Sequence, residues 1–199
     1  MVMSPLYQNR LMQVVLASAS PRRHELLRQI VAEFVIEATN IDEDALTLLD
    51  PIQTAETLAF EKARAVKGKY VDPVIIGCDT VVAMDGEQFT KPVDFDDAVR
   101  ILRSLQGRTH QVITGVAVLS ATQSVVGHCV TNVTFHDVSD ALIEEYVQTG
   151  EPMDKAGAYG AQGMGSFLVA SLDGPFDNVV GLPLELTKAL LEAVGVSCI

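Results

Sequence analysis

Two serines and two arginines stand close together in Ser18-Ala19-Ser20-Pro21-Arg22-Arg23, and their shared chemistry is that of an anion cradle. Ser20 occupies a helix N-cap position and Pro21 the first helical position. A helix start carries partial positive charge and unpaired N–H groups, so acidic side chains are favoured in its first turn. Here that turn holds Arg22 and Arg23, at a cost to the helix of about 0.3–1 kcal/mol per charge. A phosphate reverses the sign, because the N–H groups, the Ser18 and Ser20 hydroxyls and two guanidinium forks all donate to it. The competing reading is structural: both arginines reach outward to surface carboxylates, with Glu25 close by.

A second constellation is acidic. Asp79 follows the apolar run Val74–Ile76 where a buried strand would emerge at its carboxyl end, the place where open α/β sheets bind ligands. Asp42-Glu43-Asp44 forms another acidic cluster. Carboxylates gathered beside a triphosphate hold Mg2+ or Mn2+, since a hard cation takes oxygen ligands from protein and phosphate alike. The structural alternatives are a solvated loop for Asp42–Asp44 and a hydrogen-bonded strand end for Asp79. Lys62, Lys91 and Lys155 each read, taken singly, as surface lysines. Glycines 157, 160, 163 and 165 let backbone approach a ligand, but without Rossmann or P-loop spacing. His24, His110, His128 and His136 lack metal-ligand spacing, and no Ser or Cys has an evident His partner.

The elements that must position these groups alternate between strand and helix. Gln13–Ala17 reads as a buried strand, Pro21 to about Ile30 as a helix and Val31–Ala38 as a second strand. Thr54 to about Lys67 is a helix with Thr54 as its cap. Val74–Ile76 is a short buried strand; Val81–Ala83 and the Phe89 segment flank the hairpin turn Asp85-Gly86. Asp94–Leu105 is a helix, Gln111–Leu119 and Val125–Phe135 are long strands, and Ser139–Gln148 is a helix ended by Gly150. A hairpin around Asp173-Gly174 and a helix from Pro183 to Ala193 complete the chain. The order implies an α/β fold, a mixed sheet with helices on both faces.

Composition bounds the function. The 199 residues suit one domain, expected over residues 13–199 after a short N-terminal extension, residues 1–12. Apolar runs fall far short of the roughly 20 residues of a membrane span, and the first residues show no signal-peptide pattern. A net charge of −12 argues against nucleic-acid or anionic-membrane partners. Cys78, Cys129 and Cys198 form no zinc pattern or disulfide framework, which fits a reducing cytoplasm.

In order along the chain, LASASPRRHELL (Leu16–Leu27), Ile41-Asp42-Glu43, FEKAR (Phe60–Arg64), IIGCDTVV (Ile75–Val82), TKP (Thr90–Pro92), DKAGAYGAQG (Asp154–Gly163) and NVVGLPL (Asn178–Leu184) resemble the Maf family of nucleotide pyrophosphatases. The resemblance runs from about Val14 over nearly all the remaining chain. It implies a mixed, twisted sheet flanked by helices, two lobes with a central cleft, related to inosine-triphosphate pyrophosphatases. It also implies hydrolysis of a nucleoside triphosphate to monophosphate and pyrophosphate with a divalent cation, Mg2+ or Mn2+, and a homodimer. Asp79 matches the family's proton acceptor and Glu43 an acidic cleft residue, the two together serving as metal ligands. Ser18, Arg23, Lys62 and Lys91 match positions around the phosphates, and Ser20 remains a substrate-binding candidate from the anion cradle. Arg22, Thr80 and Gln162 match positions that track substrate choice, in the pattern of the dTTP/UTP branch. The alternatives are the 7-methyl-GTP branch and a nucleotide-binding regulator of division or septum formation.

Overall fold

The computed structural model describes residues 12–199, so the extension expected over residues 1–12 lies outside the described residues apart from Met12. The strands are β1 (Val14–Leu16), β2 (Val35–Ile36), β3 (Val74–Met84), β4 (Glu87–Phe89), β5 (Thr109–Leu119), β6 (Ser124–Phe135) and β7 (Val169–Asp173). The helices are α1 (Pro21–Leu27), α2 (Pro51–Ala65), α3 (Phe95–Leu105), α4 (Asp140–Gln148), α5 (Phe176–Val180) and α6 (Leu184–Ala193). All seven strands form one sheet in the order β2-β1-β3-β5-β6-β7, with β4 also on β3. β1 runs parallel to β2 and β3, and the remaining pairs are antiparallel, so the sheet is mixed as expected.

Side-chain alternation along β3 and β5 sends apolar residues to both faces. Ile75, Val81 and Ala83 of β3 and Ile113 and Ala117 of β5 pack under α2, joined by Ala55, Ala59 and Ala63 of that helix. Val74, Ile76, Cys78, Val116 and Val118 face the other way, against Leu26 and Leu27 of α1 and Leu191 of α6. Farther along that second face, Val82, Met84 and Val112 meet Ile101, Leu102 and Leu105 of α3 and Ile143 and Val147 of α4. Two cores therefore share one face. Between them, Thr80 of β3 pairs in register with Thr114 of β5.

The helix on the opposite face comes close because two glycines lie beneath it. A Cβ on Gly77 would collide with the Ala59 carbonyl oxygen, and one on Gly115 with the carbonyl of Ala55. Gly115 is the register partner of Asp79. The missing side chains seat α2 low on the sheet at the level where Asp79 points.

Several local expectations are corrected. β3 runs unbroken for 11 residues, so Asp79 lies inside a strand. The polar run after Ile76 does not stop it because the Asp79 charge is met by Lys62. α2 starts at Pro51, capped by Asp50 accepting from the Ile52 N–H; Thr54 is instead a buried residue whose hydroxyl bonds the Leu48 and Asp50 carbonyls. Ser20 sits at the N-cap of α1 in extended conformation, but its side chain makes no cap bond. The second strand shrinks to Val35–Ile36. Asp173-Gly174 turns the chain from β7 into α5 and closes no hairpin. The hairpin at Asp85-Gly86 forms, both residues having positive φ as its tight turn requires.

Candidate active site

β1 pairs with β3 only as far as Ile76, and β4 joins that same edge only from Val82. The edge between them opens into a cavity of about 780 Å³. The ten residues expected at catalytic and substrate-binding positions all line it: Ser18, Ser20, Arg22, Arg23, Glu43, Lys62, Asp79, Thr80, Lys91 and Gln162. That volume is in the range of small-molecule sites. The polar residues of β3 thus lie where the sheet edge is uncovered, which a strand end would also have provided.

The floor is a charge cluster, buried at Lys62 and Asp79 and half-exposed at Glu43. Lys62, on the sheet-facing side of α2, places Nζ 2.5 Å from Asp79 Oδ1 and 2.9 Å from Glu43 Oε1. Glu43 arrives from the loop leading into a 3-10 turn, Asp44–Leu46. Burial pushes the Asp79 carboxyl above the usual carboxylate range, against the pull of Lys62 and Arg23. Burial disfavours the Lys62 ammonium too, but attraction to Asp79, their hydrogen bond and Glu43 outweigh it, and its pKa is raised. For Glu43, burial is overcome by Lys62, with Lys91 and Arg23 adding to the effect, so its pKa is lowered. The lysine stays charged and Glu43 stays ionised, while Asp79 has gained basicity.

Glu43 and Asp79 are oxygen donors of the kind a hard cation takes. Among the described residues no group of three or more His, Cys, Asp or Glu is arranged to hold a metal. Two carboxylates suit Mg2+, which binds through one or two carboxylates together with substrate phosphates.

Arg23 forms the wall above the floor and turns inward. Its Nε donates to the Gly181 carbonyl at 2.7 Å and its Nη2 to Thr80 Oγ1 at 3.0 Å, with Nη1 3.5 Å from Ser18 Oγ. The Thr80 hydroxyl pairs with that of Thr114 at 2.9 Å, and Thr114 donates to the Asn178 carbonyl at 3.0 Å. Asn178 is held in turn by its amide, which donates to the Val112 carbonyl and to Thr131 Oγ1. Ser18 is buried, and its hydroxyl accepts from the Ser20 N–H at 3.3 Å.

Arg22 points elsewhere. Its Nη1 lies 3.8 Å from Asp154 Oδ2, at the head of the glycine-rich segment. The partner is therefore a carboxylate across the cavity rather than Glu25. Lys91, just past β4, and Gln162 in the glycine-rich segment are exposed on the rim. Lys155 is no free surface lysine, for its Nζ donates to the Glu151 carbonyl and to Asp154 Oδ1.

Residues 13–194 match the model of the Maf family, described as Maf-like protein. The chain belongs to the Maf family. It is 48% identical over 183 residues to a dTTP/UTP pyrophosphatase of Symbiobacterium thermophilum, covering 92% of this chain and 94% of that one. A dTTP/UTP pyrophosphatase of Thermococcus onnurineus is 45% identical over 90% of this chain and 96% of its own. One from Bacillus pumilus is 41% identical, covering 93% and 98%. Among solved structures, the Staphylococcus aureus Ham1 protein is similar in fold, with a TM-score of 0.50 and 14% identity over 92% of this chain and 99% of that chain.

Against this Maf-family background, four polar residues near the cavity escaped the reading from sequence. Thr114 and Asn178 back the Arg23–Thr80 contact. Glu151 and Tyr146 organise the glycine-rich wall. Thr114 did leave a signal, a hydroxyl inside the otherwise apolar run Val112–Leu119 of β5. Glu151 left only the glycines that crowd it.

Proposed function

We propose that this Maf-family chain hydrolyses dTTP and UTP to the nucleoside monophosphate and pyrophosphate. The observation that carries the proposal is the buried Asp79–Lys62 pair, joined by half-exposed Glu43, on the floor of a cavity walled by Arg22, Arg23 and Lys91. A pure phosphate binder has little use for a carboxylate raised in basicity beneath its cations. The names of the relatives supply the substrates.

Asp79 accepts a proton from water as the water oxygen bonds to the α-phosphorus; the bond to the α–β bridging oxygen breaks, and pyrophosphate leaves with that electron pair. Lys62, Arg23 and Lys91, with Ser18 and Ser20, face the growing negative charge. Arg22, Thr80 and Gln162 face the nucleoside. Glu43 and Asp79 would hold a divalent cation, Mg2+ or Mn2+, which would neutralise phosphate charge when bound. The family resemblance further supports a homodimer in the cytoplasm, and no helix among the described residues is long and apolar enough to cross a membrane.

The test is pyrophosphate release from a panel of dTTP, UTP, CTP, GTP, ATP and 7-methyl-GTP, with Mg2+, Mn2+ or a chelator. Metal-dependent release from dTTP and UTP is expected. Release from neither overturns the proposal, and preference for 7-methyl-GTP moves the chain to the other branch.

A further inference from the structure

One carboxylate organises the glycine-rich wall of the cavity. Glu151 lies in the 3-10 turn Glu151–Asp154 that follows Gly150, whose positive φ ends α4. Its Oε2 accepts the Met164 N–H at 2.9 Å, and its Oε1 accepts the Gly165 N–H at 3.1 Å and the Tyr146 hydroxyl at 2.9 Å. Tyr146, near the end of α4, accepts in turn from the Gly160 N–H at 3.0 Å. Three amides of one short segment therefore end on a single Glu–Tyr pair. The chain wraps it so closely that a Cβ on Gly160 or Gly163 would meet the Glu151 carboxylate oxygens inside contact distance. Two glycines of this segment make room for a carboxylate of the protein itself.

Gly160, Ala161, Gln162 and Gly163 line the cavity. Backbone amides and a primary amide are the groups that read the edge of a base. Such reading depends on the reader being held in place, because discrimination comes from polar groups left unpaired by the wrong ligand. The segment carries little apolar anchorage of its own; Gln162, Gly163 and Met164 are exposed. Its amide bonds to a charged acceptor are the stronger kind.

We infer that Glu151, braced by Tyr146, is a positioning residue for nucleotide selectivity, acting through residues 160–165 on the base while leaving the phosphate end untouched. The inference rests on the proposed triphosphate hydrolysis and adds the device that holds its base-reading wall.

The test is Glu151→Gln in the full chain, with Tyr146→Phe as a milder second variant that deletes only the hydroxyl. An amide side chain cannot accept at both ends, so one contact to the segment is lost. Amide exchange at Met164 and Gly165 should accelerate while circular dichroism stays unchanged. The UTP-over-CTP ratio of kcat/KM should fall about tenfold, mostly through KM for UTP, as expected for lost buried hydrogen bonds. Inhibition by pyrophosphate, which reports the phosphate end alone, should stay within about twofold, since that end keeps its cations. Faster exchange with an unchanged substrate ratio overturns the inference, as does unchanged exchange. If Glu151→Gln does not fold, Tyr146→Phe decides by the same substrate ratio and by amide exchange at Gly160, whose acceptor it removes. If the unaltered protein hydrolyses no triphosphate, the proposed function fails instead, and amide exchange still reports whether Glu151 anchors the segment.

Discussion

Lys62 Nζ lies 2.5 Å from Asp79 Oδ1, joining the helix over the sheet to the central strand beneath it. The two residues are 17 apart in sequence, and both side chains are nearly inaccessible to solvent. A buried pair of this kind contributes little net stability when intact, but it costs much to break on one side. That asymmetry separates the two halves in experiment.

Asp79→Asn removes the proposed proton acceptor and leaves Lys62 with Glu43, 2.9 Å away. Turnover of UTP should fall by about 10²–10⁴, the usual contribution of a positioned base. The fold should survive, because the ammonium keeps one carboxylate. Steady-state kinetics beside thermal unfolding checks both halves, and near-normal turnover would remove Asp79 from the mechanism.

Lys62→Met strands the carboxylate instead. Asp79 then lies buried without its ammonium, and stability should drop by about 3–5 kcal/mol as for other half-broken buried pairs. Urea unfolding at neutral pH measures this. The loss should shrink in the Lys62→Met, Asp79→Asn double variant, since no charge is left stranded there.

Gly115→Ala tests how the pair is brought together. The added methyl would press on the Ala55 carbonyl and the Glu56 amide, lifting α2 from the sheet beside Asp79. Overpacking of this sort costs about 1–3 kcal/mol. The unfolding free energy should fall by that amount and turnover should fall with it. Full activity in a destabilised variant would show that Lys62 does not depend on how closely α2 is seated.

How far the site was readable from sequence follows the range of each interaction. Arg22 and Arg23 stood out because they break a local helix rule, and one of the two then proved to reach a carboxylate, Asp154 rather than Glu25. Asp79 was placed at the cavity for a reason only half right. The open sheet edge is real, but it comes from β1 and β4 leaving residues between Ile76 and Val82 unpaired, not from β3 ending. A charged residue inside a buried strand becomes tolerable only through Lys62, and a contact between distant residues leaves no local mark. The Asp50-Pro51 start of α2 has a local mark in the sequence, a cap followed by proline, whereas Thr54 resembles a cap only by residue type. Glu151 and Tyr146 depend on the chain folding back on itself.

His110 supplies the last prediction. Its ring is buried on β5, edge-on to Phe135 and Tyr159, with Nε2 2.9 Å from the Tyr159 hydroxyl. Burial lowers its pKa from 6.5 to about 4. The unfolded chain therefore takes up this proton first as pH falls, so the neutral ring favours the fold above 6.5 and that contribution is lost between about 6.5 and 4. Over most of that window the group adds a slope approaching about 1.4 kcal/mol per pH unit. His110→Phe keeps an aromatic ring against Phe135 and removes the titration. Urea midpoints from pH 7 to 4 should then fall less steeply in the variant, by roughly one proton's worth of slope. Carboxylates titrate in the same range in both proteins, so the difference between the two curves isolates the ring. Parallel curves would mean that His110 is protonated in the folded state, and that burial does not hold it neutral.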